Sequence, residues 1–295
     1  MDLSEELFLS GHTSCAGCAC AIAMRHILHA LGREAVVINA TGCMEIVSTN
    51  YPQNTWGVPY LHSVFENTAA VASGVSRAFK KLGKKGVVTV IGGDGSTYDI
   101  GFGGISAAME RNEDILYICY DNEAYANTGL QRSGGTPFAA ATTTTPKEVG
   151  GKHEWKKDLA FIAAAHGIPY VATASIAYPD DLKQKLLKAK VMKGFRFIVL
   201  FAPCTYGWKI PTNMPIKVSE NAVESGMWNL FEVENGRFKR SYKPKMIPVK
   251  QYLAGQKRFS HVTEEQLKIM QVHVERVQEE LDKLEKSEID FRYLV

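Results

Sequence analysis

Five runs of branched and aromatic residues stand out along the chain, at 35–39, 87–92, 115–120, 170–173 and 195–201. None of them alternates between apolar and polar positions, so each has two apolar faces. That is the pattern of a parallel strand covered on both sides rather than of a strand with one wet face. Between the runs lie segments with helical spacing, at 21–31, 66–82, 105–111, 159–166 and 180–191. Strand and helix therefore take turns, which predicts an α/β fold: an open, mostly parallel sheet with helices on both faces and right-handed crossovers.

The rhythm stops after Cys204, where prolines at 211, 215, 244 and 248 mark an extended, turn-rich stretch. Regular patterning returns once more, as Leu267, Met270, Val274, Val277, Leu281 and Leu284 recur every three or four residues. This stripe predicts an amphipathic helix over 264–289 that packs on this chain or on a partner. It covers barely three heptads, too few for a free coiled coil. The expected organisation is an α/β domain at 1–205 and an irregular, then helical, C-terminal extension at 206–295. Within the domain, 67–78 is rich in Ala, Gly and Ser, as tight helix packing requires. A loop at 128–153, with Gly129, Gly134, Gly135, Pro137, threonines at 142–145, Gly150 and Gly151, reads as a lid or as a surface excursion.

An apolar fraction of 45% with 22% charged residues excludes a disordered chain. The formal charge of +3 is too near balance to make nucleic acid the principal partner. One local asymmetry stands out: 235–263 carries Arg237, Lys239, Arg240, Lys243, Lys245, Lys250, Lys257 and Arg258 and no acid. It reads as a solvated or interface-forming face, or else as a docking site for an acidic protein or for nucleic acid. The N-terminus has no secretory pattern and the longest apolar runs are too short to span a bilayer, so the cytoplasm is the expected compartment and no membrane association is expected. Six cysteines argue against a dense disulfide framework and leave metal binding open.

The chemistry concentrates where strands end. Ile91-Gly92-Gly93-Asp94-Gly95-Ser96 closes one apolar run and leads toward Gly103-Gly104-Ile105 at a helix start. Glycines there let backbone amides approach a diphosphate, and Asp94 offers a hard carboxylate to Mg2+. Asn122, 28 residues later and just past the next run, can add an amide oxygen to the same metal, with phosphate oxygens completing an octahedral shell. An Asp-Gly turn alone is common; its pairing with Asn122 is what carries weight. The second constellation is Cys15-Ala16-Gly17-Cys18, then Cys43 after the first strand and Cys204 after the last. Strand ends on one edge of a sheet can bring these together, and four thiolates suit either a [4Fe-4S] cluster or structural zinc. Cys119, inside a strand run, reads as packed core, and Cys20 as a nearby bystander first and an alternative ligand second.

These residues together carry a resemblance. Cys15 and Cys18, Thr41-Gly42-Cys43, Pro203-Cys204, Gly93-Asp94-Gly95, Tyr98-Asp99-Ile100-Gly101, Asp121-Asn122-Glu123 and the loop from Asn127 to Pro137 are similar to the pattern of pyruvate:ferredoxin oxidoreductase (pyruvate synthase) beta subunits, in the 2-oxoacid:ferredoxin oxidoreductase family. The resemblance covers nearly the whole chain and implies a thiamine-diphosphate-binding fold. It implies Mg2+ on Asp94, Asn122 and the Ala124 carbonyl, with Thr41, Gly42, Gly93, Gly95, Ser96 and Thr128 around thiamine diphosphate. Asn127 would face the reacting centre, and Cys15, Cys18, Cys43 and Cys204 would hold a [4Fe-4S] cluster; Cys20 departs from the family by standing where another residue is usual. The implied activity is reversible, coenzyme-A-dependent oxidative decarboxylation of pyruvate to acetyl-CoA and CO2 with reduction of ferredoxin. Oxalate or another small 2-oxoacid is the alternative substrate. The implied partners are alpha, gamma and delta subunits or fused equivalents, with alpha supplying the glutamate that activates the cofactor. The competing class is a noncatalytic electron-transfer or zinc-stabilised interaction subunit.

Overall fold

The computed structural model describes residues 5–287 and 289–293. The strands are β1 (Ala35–Ala40), β2 (Tyr60–Ser63), β3 (Val87–Gly93), β4 (Ile115–Asp121), β5 (Tyr170–Ser175), β6 (Phe195–Phe201), β7 (Phe231–Glu234) and β8 (Arg237–Arg240). They form one sheet in the order β2-β1-β3-β4-β6-β5-β7-β8, parallel from β2 to β5 and antiparallel at β7 and β8. The helices are α1 (Ala19–Leu31), α2 (Cys43–Ser48), α3 (Thr68–Lys81), α4 (Phe102–Glu110), α5 (Leu159–Ala164), α6 (Pro179–Val191), α7 (Thr205–Trp208), α8 (Pro215–Glu224), α9 (Val249–Leu253) and α10 (Glu264–Lys286). All five strands and the helices read from periodicity are present. None of these helices is long and apolar enough to cross a membrane.

The lack of alternation in the strand runs has a direct cause. In β4, Leu116, Ile118 and Tyr120 pack with Met24 and Ile27 of α1 and Leu182 and Leu186 of α6. Tyr117 and Cys119 point the other way, into a core shared with Ala69 of α3, Ile105 of α4 and Leu159 of α5. Both sets are buried, so every position along the strand is apolar. The small residues of α3 are explained by packing: Ala69, Ala72 and Ser73 are buried, and no α3 side chain lines the cleft described below.

Periodicity missed β2, β7 and β8. Each is four residues long and lies toward the margins of the sheet, where burial is partial. The β7–β8 hairpin did carry a signal, since Asn235-Gly236 joins two alternating segments and both residues have positive φ, +48° and +79°. Such a pair favours the tight hairpin turn whose twist matches the strands. Through β5–β7 pairing the hairpin makes the segment after Cys204 part of the main sheet.

Helix α10 starts after Thr263, whose hydroxyl accepts from the Gln266 amide while the Gln266 side chain accepts from the Thr263 amide. It ends at Lys286, three residues short of the expected limit; Glu288 lies outside the described residues. Its apolar stripe packs on this chain: Met270, Val274 and Leu281 are buried, and the first two join the core that contains Tyr117. The basic run at 235–263 is largely answered from within. Arg240 pairs with Asp282 and Glu285, Lys245 with Glu224, Lys250 with Glu264, and buried Arg258 with Glu123.

Met270→Ala should therefore destabilise the protein by about 2–5 kcal/mol, the usual range for emptying a buried aliphatic site. Chemical denaturation of the protein measures it, and an unchanged midpoint would place α10 off the core.

Candidate functional site

Because β1, β3, β4 and β6 are parallel neighbours, their C-terminal ends lie along one edge of the sheet. There the chain leaves β1 at Thr41-Gly42-Cys43, β3 at Asp94, β4 at Asn122 and β6 toward Cys204. The strand order reverses direction between β1 and β3, and open α/β sheets bind ligands in the crevice at such a switch. A cleft of about 240 Å3 lies at this point, lined by Thr41, Gly42, Cys43, Gly93, Asp94, Gly95, Ser96, Asn122, Ala124, Asn127 and Thr128. Every residue expected around the diphosphate and its cation is thus in one place, with Asn127 and Thr128 exposed at its mouth. Phe65, Tyr120 and Tyr125 complete the wall and were not foreseen. Gly95 is obligatory there: a Cβ on it would stand 2.3 Å from the Tyr125 ring.

Three oxygens converge inside the cleft. The Asn122 amide oxygen stands 2.8 Å from the Ala124 carbonyl oxygen and 3.1 Å from Asp94 Oδ1. Turning the amide over would convert both approaches into hydrogen bonds and would also relieve its nitrogen, which as oriented faces only donors. As oriented, no donor stands between the three acceptors, and a shared cation is what such a set fits. Neighbouring ligands of octahedral Mg2+, about 2.1 Å from the metal at right angles, are about 3.0 Å apart. The other Asp94 oxygen is occupied by a short hydrogen bond from the Ser133 hydroxyl.

The surroundings are charged and closed. Register places Gly93 opposite Tyr120, so Asp94 and Asp121 leave the sheet side by side, both buried. Burial, then neighbouring Asp121, pushes the Asp94 carboxyl well above the usual range. Burial likewise raises Asp121, against the pull of Lys156 Nζ at 2.7 Å. Tyr98 donates to Asp121 at 2.7 Å. Burial alone would lower the Lys156 pKa, but Asp121 and Glu123 outweigh it and hold the ammonium charged. The loop after Thr128 packs behind the cleft: residues 133–137 are buried, Gly134 N donates to Asp99, and Thr136 donates to the Glu123 carbonyl. Lys156 escaped the sequence reading because no local motif marks it; Ser133 lay within the recognised loop.

Cys15, Cys18, Cys43 and Cys204 lie beside this cleft, near enough to interact electrostatically but not closed on one point. Between Cys15 and Cys18, Gly17 has φ +71° and its α-carbon faces the Thr212 carbonyl so closely that a Cβ would stand 1.9 Å away, so the turn admits only glycine. Cys43 lies within electrostatic reach of Cys204, Cys18, Asp94 and Cys15, and burial pushes its thiol up to about 12. Cys18 is lowered to about 6 by a hydrogen bond with Cys20, against burial. All six cysteines are free, and among the described residues no three or more His, Cys, Asp or Glu side chains stand in mutual metal-holding geometry. Cys119 is fully buried in the strand core.

A sheet whose switch point carries a glycine-walled, carboxylate-bearing cleft defines the class: residues 40–200, from the end of β1 through nearly all of β6, match the thiamine pyrophosphate enzyme family, C-terminal TPP-binding domain. Pyruvate synthase subunit PorB of Methanocaldococcus jannaschii is 50% identical over 282 residues, covering 92% of this chain and 95% of that one. Ketoisovalerate oxidoreductase subunit VorB of Pyrococcus abyssi is 42% identical, covering 95% and 94%. A 2-oxoglutarate:ferredoxin oxidoreductase from Magnetococcus marinus, solved with 2-oxoglutarate, coenzyme A and succinyl-CoA bound, shares the fold with a TM-score of 0.60 at 24% identity, covering 69% of this chain and 68% of that one. The chain belongs to the pyruvate synthase beta-subunit family of 2-oxoacid:ferredoxin oxidoreductases.

In a chelator, Asp94→Asn should raise the thermal midpoint of the assembled enzyme, because it removes one of two adjacent buried carboxylates. The same variant should lose the further rise that Mg2+ with thiamine diphosphate gives the wild type. Thermal scans with and without ligand measure both effects; an undiminished ligand-induced rise would take Asp94 out of the site.

Proposed function

We propose that this chain is the thiamine-diphosphate and [4Fe-4S] subunit of a pyruvate synthase. The assembled enzyme would catalyse reversible, coenzyme-A-dependent oxidative decarboxylation of pyruvate to acetyl-CoA and CO2, with ferredoxin as electron acceptor. The observation that carries the reading is the position of Cys43, which lines the cleft of Asp94 and Asn122 and also neighbours Cys15, Cys18 and Cys204. Cofactor cleft and thiol set therefore adjoin through one residue, as a site that passes electrons from substrate to a cluster requires. When bound, thiamine diphosphate supplies the electron sink for decarboxylation and the cluster supplies one-electron acceptance.

The roles of this chain follow from its geometry. Asp94 Oδ1, the Asn122 amide oxygen and the Ala124 carbonyl would hold Mg2+. Gly93, Gly95 and Ser96, with Thr41 and Gly42 opposite, would receive the diphosphate. Thr128 and Asn127 stand at the mouth, where Asn127 would face the reacting centre. The four cysteines would hold the cluster, with Cys20 beside Cys18 as a neighbour and not a ligand.

The cleft is smaller than the roughly 300–1,000 Å3 of a complete small-molecule site, which supports completion by another subunit. The residues lining it include no glutamate, and the nearby Glu123 carboxylate is committed to Lys156 and Arg258. An alpha subunit would supply the activating glutamate, with gamma and delta subunits or fused equivalents completing a cytoplasmic assembly. Pyruvate is favoured by the 50% identity to PorB, while the VorB relatives make a branched 2-oxoacid the second reading.

The assay is anaerobic, pyruvate-dependent reduction of ferredoxin with coenzyme A present, by the purified chain and by the assembled enzyme, with iron, sulfide and zinc measured in each. Turnover by the assembly alone, with iron and sulfide, is expected. Comparable turnover by the isolated chain would overturn the intersubunit site, and stoichiometric zinc without iron would favour the interaction subunit. Faster turnover of 2-ketoisovalerate or oxalate would reassign the substrate.

A further inference from the structure

Glu123 lies between two of the three oxygens that face one point, and its backbone is unusual. It is a buried residue with a side chain, yet it has φ +63°, in the left-handed region that favours glycine. Along an extended strand, successive groups point to opposite sides. Here the left-handed residue turns the chain back, so that the Ala124 carbonyl comes to 2.8 Å from the Asn122 amide oxygen.

The turn is gripped from all sides. The Glu123 amide donates to Asp121 Oδ1 at 3.0 Å, and its carbonyl accepts from Thr136 Oγ1 at 2.6 Å. Lys156 donates to one carboxylate oxygen at 3.0 Å, and the other is ion-paired with Arg258 at 2.7 Å without the alignment of a hydrogen bond. Arg258, from the segment just before α10, lies 3.3 Å from the centre of the Trp208 ring, and Trp208 Nε1 donates to the Asn122 carbonyl at 3.0 Å. Distant parts of the chain thus converge on one dipeptide. An ion pair that served stability alone would not need a left-handed backbone between two facing oxygens.

We propose that Glu123 is a positioning residue for the cation: its carboxylate, held by Lys156 and Arg258, keeps the turn that aims Asn122 and Ala124 at the metal. Arg258 thereby couples the C-terminal segment to metal affinity. The inference rests on the Mg2+ site proposed above.

The test measures the Mn2+ dissociation constant and the spectrum of bound Mn2+ by electron paramagnetic resonance on the assembled enzyme with thiamine diphosphate. Thermal midpoints are taken in chelator. Glu123→Gln and Arg258→Gln should each weaken Mn2+ binding by about 10–100-fold, as loss of a group that orients a metal ligand does. The double variant should be no weaker than the worse single. Arg240→Gln, which unpairs another buried arginine from Asp282 and Glu285 of α10, should lower the midpoint and leave Mn2+ binding unchanged. Arg258→Lys keeps the charge but loses the planar guanidinium and its stack on the Trp208 ring; should the Gln variants fail to assemble, it carries the test with a weakening of roughly threefold or more. If the Glu123 and Arg258 variants lower the midpoint but leave Mn2+ affinity and spectrum as in wild type, their role is structural and the inference falls. If Asp94→Asn leaves wild-type Mn2+ binding intact, the metal site itself is elsewhere and both readings fall.

Discussion

Two carboxylates, Asp94 and Asp121, leave adjacent parallel strands side by side where water does not reach, and like charges that close in a protein interior persist only with opposite charge between or beside them. The polar interior of the molecule is arranged around that constraint. Lys156 stands against Asp121 and is itself kept charged by Glu123, which is in turn held by Arg258. Asp94 instead receives the Ser133 hydroxyl on one oxygen and turns the other toward two further oxygens. A divalent cation at that point would balance the charge that the side chains leave over, which ties the ligand to the stability of the site.

The parts of this arrangement legible in the sequence are those encoded locally. Five strands were readable because both of their faces are buried, and α10 was readable from a stripe at helical spacing. Asp94 and Asn122 were readable because strand ends are where open sheets place chemistry, and the cysteines by spacing and resemblance. Lys156 and Arg258 were not, since each meets the site from far along the chain without a motif. Six of the eight cations at 235–263 are exposed, as a solvated face requires, but the buried Arg240 and Arg258 find their partners Asp282, Glu285 and Glu123 outside the segment, where the run itself gives no sign of them. The Asn235-Gly236 hairpin was legible in principle, but its four-residue strands at the sheet margin give no continuous apolar run.

The hairpin and α10 matter for function because they bring the C-terminal segment onto the sheet. Through Trp208 and Arg258 that segment reaches the turn at Asn122 and Glu123. On the opposite side of the cleft, Cys43 opens α2 directly after β1 and faces both the Asp94 pocket and the other thiols. Cofactor cleft and thiol set share one edge of one sheet, so a single parallel scaffold fixes their separation. A family whose members act on different 2-oxoacids can keep that scaffold and vary what partner subunits place over the open cleft.

Asp94 Oδ1, the Asn122 amide oxygen and the Ala124 carbonyl would together form one face of a divalent-cation site. The most direct measurement is an anomalous difference map from crystals of the assembled enzyme grown with Mn2+ and thiamine diphosphate. A single strong peak within about 2.2 Å of all three oxygens is expected, the distance of a small octahedral cation. A peak elsewhere in a fully loaded enzyme, or an Asn122 amide turned to donate its N–H groups to Asp94 and Ala124 with no metal between them, would contradict it.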